Sequence, residues 1–171
     1  MTAESFLQQF MPYRNRLYRL SLRLLGNQAD AADLVQDVYL KLWNMRDQMD
    51  QYSSTEAFAM TMTKNLCFDR LKSAAKQSVR IAQNHNLVDN LSPDKLIEFD
   101  ETYSSIEEFI SNLPEVQQLV MHLRDIENYQ FDDIAQITGL SPNNIRVSLS
   151  RARKTVREQL MNRNGYGYKN Y

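Results

Sequence analysis

The stretch FDDIAQITGLSPNNIRVSLSRARKTVREQL, residues 131–160, is the most informative part of the sequence, because one helix ends within it and another begins at once. Apolar residues recur at helical spacing up to Gly139, which supplies the left-handed residue that ends a helix. Ser141 is a strong N-cap and Pro142 fits a first helical position, so a second helix starts after a short turn. A new apolar stripe follows, comprising Ile145, Leu149, Ala152, Val156 and Leu160. The pattern predicts a helix-turn-helix.

The outer face of the second helix carries groups that can contact base edges and phosphates. Its candidate DNA-binding residues are Asn143, Asn144, Arg146, Ser148, Arg151, Arg153, Lys154 and Arg157. Because early residues of a recognition helix meet the bases, the first four are expected to read sequence and the last three to contact phosphates. Arg151 could contact either a base or a phosphate. The alternative is an ordinary helical hairpin with a solvated basic face.

Composition favours an all-α protein without an enzyme's motifs. Gly and Pro number four each, and the net charge of −1 conceals a basic stretch at 140–161 beside an acidic one at 106–133. No phosphate-binding glycine loop or nucleophile–base spacing is visible, and His85 and His122 are isolated. We therefore predict no enzyme activity, cofactor or metal. The single cysteine, Cys67, is typical of a buried residue in a reducing compartment, and no signal peptide or long apolar run is present. A cytoplasmic protein without membrane insertion is expected.

Helical periodicity predicts two small helical domains joined by a flexible linker. The first covers 1–78, the linker 79–104 and the second, with the helix-turn-helix, 105–161. Residues 162–171 lack periodicity and are expected to form a disordered tail.

The first domain is predicted to contain three helices. They cover Thr2–Leu25, Gln28–Met45 and a segment opened by a capping box of Ser53 and Glu56. A second capping box, Ser105 to Glu108, is expected to open the second domain. The inward residues of the third helix are predicted to be Phe58, Met62, Leu66 and Cys67. The outer face of the second helix places a leucine among acids and amides, which hints at a protein contact: Asp33, Gln36, Asp37, Leu40 and Asn44.

Three blocks, in this order, resemble bacterial sigma factors of the sigma-70 family, in its extracytoplasmic-function group. DAADLVQDVYLKLWN resembles the helix that docks on the clamp helices of core RNA polymerase, and EAFAMTMTKNLCFDRLKS the helix that meets the promoter −10 element. The stretch from Leu113 to Leu160 resembles the domain that reads the −35 element. The resemblance covers nearly the whole chain up to the tail.

The resemblance implies a protein that binds core RNA polymerase and directs promoter-specific initiation. It makes the face around Leu40 the docking surface and implies that the helix-turn-helix binds −35 duplex. It assigns contacts with single-stranded −10 DNA to Tyr52, Lys64, Asn65 and Lys72. An anti-sigma factor is a further partner that it allows.

The chain departs from the family pattern at a few positions. Phe58 stands where a tryptophan is frequent, an aromatic residue that is common near Thr55 is missing, and Val147-Ser148 replaces a common Ser-Arg pair. These changes bear on the promoter sequence rather than on the class. Two other hypotheses stay open: a conventional helix-turn-helix regulator, which needs a dimer surface, and a helical adaptor that binds only protein.

Overall fold

The computed structural model describes residues 1–82 and 101–163, and all regular secondary structure in these stretches is helical. The chain divides into two compact units, one containing each stretch. The predicted class, two small helical domains, is therefore confirmed. The middle of the predicted linker and the end of the predicted tail lie outside the described residues.

Within residues 1–82 the first unit contains four α-helices: α1 Ala3–Phe10, α2 Arg14–Leu25, α3 Gln28–Asn44 and α4 Thr55–Ala82. Helices α2, α3 and α4 pack against one another, and the core includes Leu20, Leu34, Leu42 and Met60. Local signals set the α2–α3 turn, because Gly26 adopts φ 70° and the Asn27 side chain accepts a hydrogen bond from the Asp30 N–H.

The first predicted helix is interrupted. A 3₁₀ turn, Met11–Tyr13, separates α1 from α2. Pro12 lies within this turn, and since proline has no N–H and its ring clashes with the preceding helical turn, a continuous helix is disfavoured there. A second 3₁₀ segment, Arg46–Gln51, lies between α3 and α4, and Met49 within it is buried.

Two details of α4 differ from prediction. Its cap is Ser54 rather than Ser53, since the Ser54 hydroxyl accepts the Ala57 N–H at 3.1 Å. The predicted inward stripe is rotated: of its four residues only Cys67 is buried, and Met60 and Thr63 take the inner positions. The sequence offered apolar residues on two adjoining faces, and packing against α2 and α3 chose between them.

The second unit contains α5 Glu101–Ser111, α6 Glu115–Met121, a π-helical turn His122–Ile126, α7 Phe131–Thr138 and α8 Pro142–Arg163. Helix α8 packs against α5, α6 and α7, which makes it the central element of the unit. Its inner stripe is the predicted one: Ile145, Leu149, Ala152 and Val156 are buried, and Leu160 is half-buried.

Three helix ends lie beyond the predicted limits of the domains, the linker and the tail. Helix α4 continues to Ala82 and α5 begins at Glu101, so both ends of the predicted linker fall inside helices, and Ser105 is not the cap. The first two residues of the predicted tail belong to α8, which ends at Arg163, and the Arg163 guanidinium lies 2.6 Å from the Glu108 carboxylate.

Candidate protein and nucleic-acid interfaces

The five candidate polymerase-binding residues share one exposed face of α3. Their spacing of three, four, seven and eleven residues from the first places them along one side of a helix. All are solvent-exposed: Asp33, Gln36, Asp37, Leu40 and Asn44. Leu40 is 61% exposed and also lines an apolar groove, and this continuous apolar surface makes the face a candidate protein contact.

Arg70 of α4 holds the two carboxylates of this face. Its guanidinium lies 2.9 Å from an Asp33 oxygen and 2.6 Å from an Asp37 oxygen, and it also donates to the Asp30 carbonyl at 3.2 Å. Sequence reasoning missed Arg70 because more than thirty positions separate it from its partners. The two acids are thus oriented, and partly neutralised, before any partner arrives.

An apolar groove borders the same face. It has a volume of about 830 Å³ and lies between α1, α2 and α3. Leu40 and Gln36 belong to both the exposed face and the groove, which continues to Leu7, Met11 and Trp43. Leu7 and Met11 are 51% and 47% exposed, so apolar surface extends well beyond the residues predicted from sequence.

The candidate −10 residues lie only partly together. Tyr52 stacks on Phe58, with ring centroids 3.9 Å apart and planes inclined by 27°. Asn65 and Lys72 are exposed and follow Phe58 along one face of α4 at intervals of seven residues. Lys64 lies on a different side, half-buried, and burial lowers its pKa. The face thus combines an aromatic pair with an amide and a cation, but Lys64 stands apart from it.

The helix-turn-helix has the local geometry that its sequence predicts. Gly139 ends α7 with φ 75°, and the Ser141 hydroxyl accepts the Asn144 N–H at 3.2 Å at the start of α8. At the other end of α7, Gln130 and Asp133 form a reciprocal capping box. The N-terminus of α8 is therefore capped, and Asn143 and Asn144 next to it are exposed.

The eight candidate residues of α8 surround the exposed half of the helix rather than forming one line. Seven are exposed, and Ser148 is half-buried on one flank. Arg146, Arg153 and Arg157 follow one another at intervals of seven and four residues on the opposite flank. With Lys154 and Phe131 they line a groove of about 510 Å³.

The cations of α8 have different partners. Arg153 forms two hydrogen bonds with the Asp125 carboxylate, at 3.0 and 2.5 Å, which raise the pKa of this guanidinium. Lys154 lies 3.8 Å from Glu158, whereas Arg146 lies over the Phe131 ring, 5.1 Å from its centroid. Asp125 and the Phe131 ring come from outside α8, and neither contact was anticipated from sequence.

These features define a two-domain helical protein with a candidate protein-binding face in one unit and a helix-turn-helix, a candidate duplex-binding module, in the other. The Sigma-70 region 2 model matches residues 10–77, and the Sigma-70, region 4 model matches residues 103–156.

Related sequences and solved structures agree with these two family matches. The ECF RNA polymerase sigma factor SigW of Bacillus subtilis is 22% identical over 158 residues, covering 86% of this chain and 84% of its own length. The sigma factor SigV of the same organism is 26% identical over 148 residues, covering 86% of each. A co-crystal structure of the sigma factor RpoE with the anti-sigma factor NepR, from Bartonella quintana, superimposes with a TM-score of 0.77 at 20% identity, covering 92% of this chain and 98% of that one.

The chain belongs to the sigma-70 family, in its extracytoplasmic-function group. It is a sigma factor, which directs promoter-specific transcription initiation. Within residues 1–82 and 101–163, no helix is long and apolar enough to span a membrane.

Proposed function

We propose that the first unit docks on core RNA polymerase through α3 and holds unpaired −10 bases on α4, while α8 of the second unit reads the −35 duplex. The observation that carries this proposal is the exposed, capped start of α8, where amide and guanidinium groups stand clear of the core. A recognition helix enters the major groove by this end.

The docking proposal rests on exposure and continuity. Leu40 is exposed beside an apolar groove, and ordered carboxylates flank it. Burial of this apolar surface favours association, and the carboxylates orient a basic partner. Arg70 holds both carboxylates and therefore belongs to the same surface.

The −10 proposal rests on a stacking platform beside an amide. Aromatic rings bind unstacked bases through their faces, and an amide can hydrogen-bond a base edge. The Tyr52–Phe58 pair and Asn65 offer these two groups on one side of the first unit. Lys72 extends the face toward the backbone phosphates, and half-buried Lys64 contributes less than the sequence suggested.

We further propose a cytoplasmic protein that has no catalytic residue of its own, since nucleotide addition belongs to the polymerase. RpoE of Bartonella quintana was crystallised with an anti-sigma factor, NepR, and CnrH with the cytosolic domain of CnrY. By likeness of fold, an anti-sigma factor that covers the first unit's apolar groove is a proposed partner of this chain.

Run-off transcription with purified core polymerase tests the proposal. The full chain should bind core without DNA and support initiation from a genomic promoter library with both elements present. A conventional regulator would bind duplex but not core polymerase, and a protein-only adaptor would show no promoter dependence. Either result would overturn the assignment.

A further inference from the structure

Phe131 contacts two guanidinium groups at the edge of the groove that it lines together with the cations of α8. The Cζ atom of Arg124 lies 5.0 Å from its ring centroid, and that of Arg146 lies 5.1 Å away. Both distances are within the range of cation–π attraction. Phe131 is the first residue of α7, so it places an aromatic ring against the recognition helix from outside it.

The surroundings hold this ring in place. The capping box of Gln130 and Asp133 fixes the start of α7. Arg124 donates to the Tyr129 carbonyl at 2.7 Å and to the Gln130 side-chain oxygen at 3.4 Å. The Phe131 ring and the Arg124 guanidinium are therefore held in place by neighbouring groups. Arg146, in contrast, is exposed, and in the described part of the chain its guanidinium contacts the Phe131 ring.

The side chain that contacts each arginine determines how much of its positive charge stays available to DNA. Asp125 orders Arg153 but also neutralises much of its charge. The Phe131 ring is neutral and leaves the full charge of Arg146 available. A bidentate contact with a base edge needs a placed guanidinium, and ordering an arginine before binding lowers the entropy lost on binding.

We infer that Phe131 is a positioning residue that holds the Arg146 guanidinium ready for the −35 duplex. The inference rests on the proposed function, because it requires Arg146 to contact bases. It also accounts for an aromatic residue that is only half-buried at this point, where a helix start needs no ring.

The test compares full-length variants on a −35 duplex and on its single-base-pair substitutions. Phe131→Leu should weaken cognate binding about two- to fivefold, the worth of an exposed cation–π contact. It should also flatten the preference at the base pair that Arg146 reads. Phe131→Tyr should keep both, and Phe131→Met, which is flexible and apolar but has no ring, should behave like leucine.

The double variant with Arg146→Ala separates positioning from packing. Phe131→Leu should cost nothing further in that background, and preferences at other base pairs should stay unchanged. Equal losses in both backgrounds, or tighter binding by Phe131→Leu, would overturn the inference while leaving the proposed function intact. If Arg146→Ala leaves the affinity for every duplex unchanged, the proposed base-reading role of Arg146 is wrong instead. Should the leucine variant not fold, the tyrosine and methionine pair makes the same comparison.

Discussion

The two units treat their exposed charges differently. In the first, the two carboxylates of the proposed docking face are paired with Arg70. In the second, Arg151 and Arg157 form no ion pair within residues 1–82 and 101–163, and Arg146 faces an aromatic ring. One arginine compensates half of the charge of the two carboxylates on the first surface before binding, whereas the second surface keeps much of its positive charge.

This difference suggests two modes of recognition. A surface with paired charges and exposed leucine gains affinity mainly from shape and apolar burial, with charge setting orientation. A surface with uncompensated arginines gains affinity by displacing counterions from DNA, which makes binding strongly salt-dependent. The same chain should therefore bind core polymerase with a shallow salt slope and duplex with a steep one.

The largest effect is expected from reversing the charge of the docking face. Replacing Asp33 and Asp37 together with lysine should weaken core binding at least tenfold, because like charges would meet a basic partner and truncated charge pairs at interfaces typically cost about 2–5 kcal/mol. Titration of labelled core polymerase measures it. Reversal of Asp50 and Asp69, exposed acids outside this face, is the matched control.

Reversal at these positions also places two cations beside Arg70, so folding must be followed. The pairs are solvent-exposed, and their loss should cost about 1 kcal/mol or less each. A folded double variant with unchanged core affinity would show that the carboxylates serve only to join α3 to α4.

The second effect concerns alkaline stability and tests whether the two units are separate. Burial raises the pKa of the Cys67 thiol from 9.0 to about 11. Its folded pKa lies above the unfolded one, so its contribution is fully present below pH 9 and is lost as pH rises toward 11. The free energy of unfolding of the first unit should fall by roughly 2–3 kcal/mol over that window.

Trp43, the only tryptophan, reports unfolding of the first unit by its fluorescence. The comparison variant Cys67→Ala should lack the thiol-dependent part of the alkaline loss, while α8 of the second unit should be unaffected in both. Identical pH profiles for the two proteins would contradict the burial argument.

The third effect separates base capture from docking within the first unit. Asn65→Ala should make the free energy of open-complex formation less favourable by about 1–3 kcal/mol, the usual value of a base-edge contact. The affinity for core polymerase should stay unchanged. Permanganate footprinting of the −10 region measures opening. Gln77→Ala removes a comparable exposed amide elsewhere on α4 and should have no effect. An unaltered −10 preference in the Asn65 variant would count against its role.

The fourth effect distinguishes base reading within the second unit. Arg146→Ala should cost about 1–3 kcal/mol on the cognate −35 duplex and relax the preference at one base pair. Fluorescence anisotropy with a set of duplex variants measures both. A uniform loss across the set would instead make Arg146 a phosphate contact and would reverse our orientation of α8.

The smallest effect concerns a phosphate contact. Lys154→Ala should weaken binding to every duplex alike and lower the salt slope by about one unit. Because Glu158 lies 3.8 Å away, the loss should be smaller than for an isolated lysine, and Glu158→Gln should strengthen binding. Sequence-dependent losses in the lysine variant would place this side chain at a base instead.

Sequence alone determined the elements whose signals are local. Gly139 and Ser141 predicted the turn and the second helix of the helix-turn-helix, and the stripe from Ile145 to Val156 is buried as expected. Helical periodicity also predicted the exposed face around Leu40. These inferences succeed because caps, turns and amphipathic periods involve residues within a few positions of each other.

Local reasoning failed where two neighbouring choices have similar energies. Ser53 and Ser54 can both cap a helix, and the path of the chain into α4 selects Ser54. The inner stripe of α4 was misplaced for a similar reason, since contact with α2 and α3 decides which of two apolar faces turns inward. The break before α2 did have a local signal, Pro12. The prediction of one continuous helix gave more weight to the helical periodicity of the apolar residues than to this proline.

Packing in three dimensions determines which charged side chains of the candidate surfaces contact another side chain of the protein. Arg70 reaches Asp33 and Asp37 from another helix, Asp125 reaches Arg153 from the π-helical turn, and Phe131 reaches Arg146 from α7. Side-chain pairs of this kind depend on how helices cross, and the spacing of residues along the chain does not encode that crossing. The sequence therefore determined which groups each surface offers, and packing between helices determined which of them remain available to a partner.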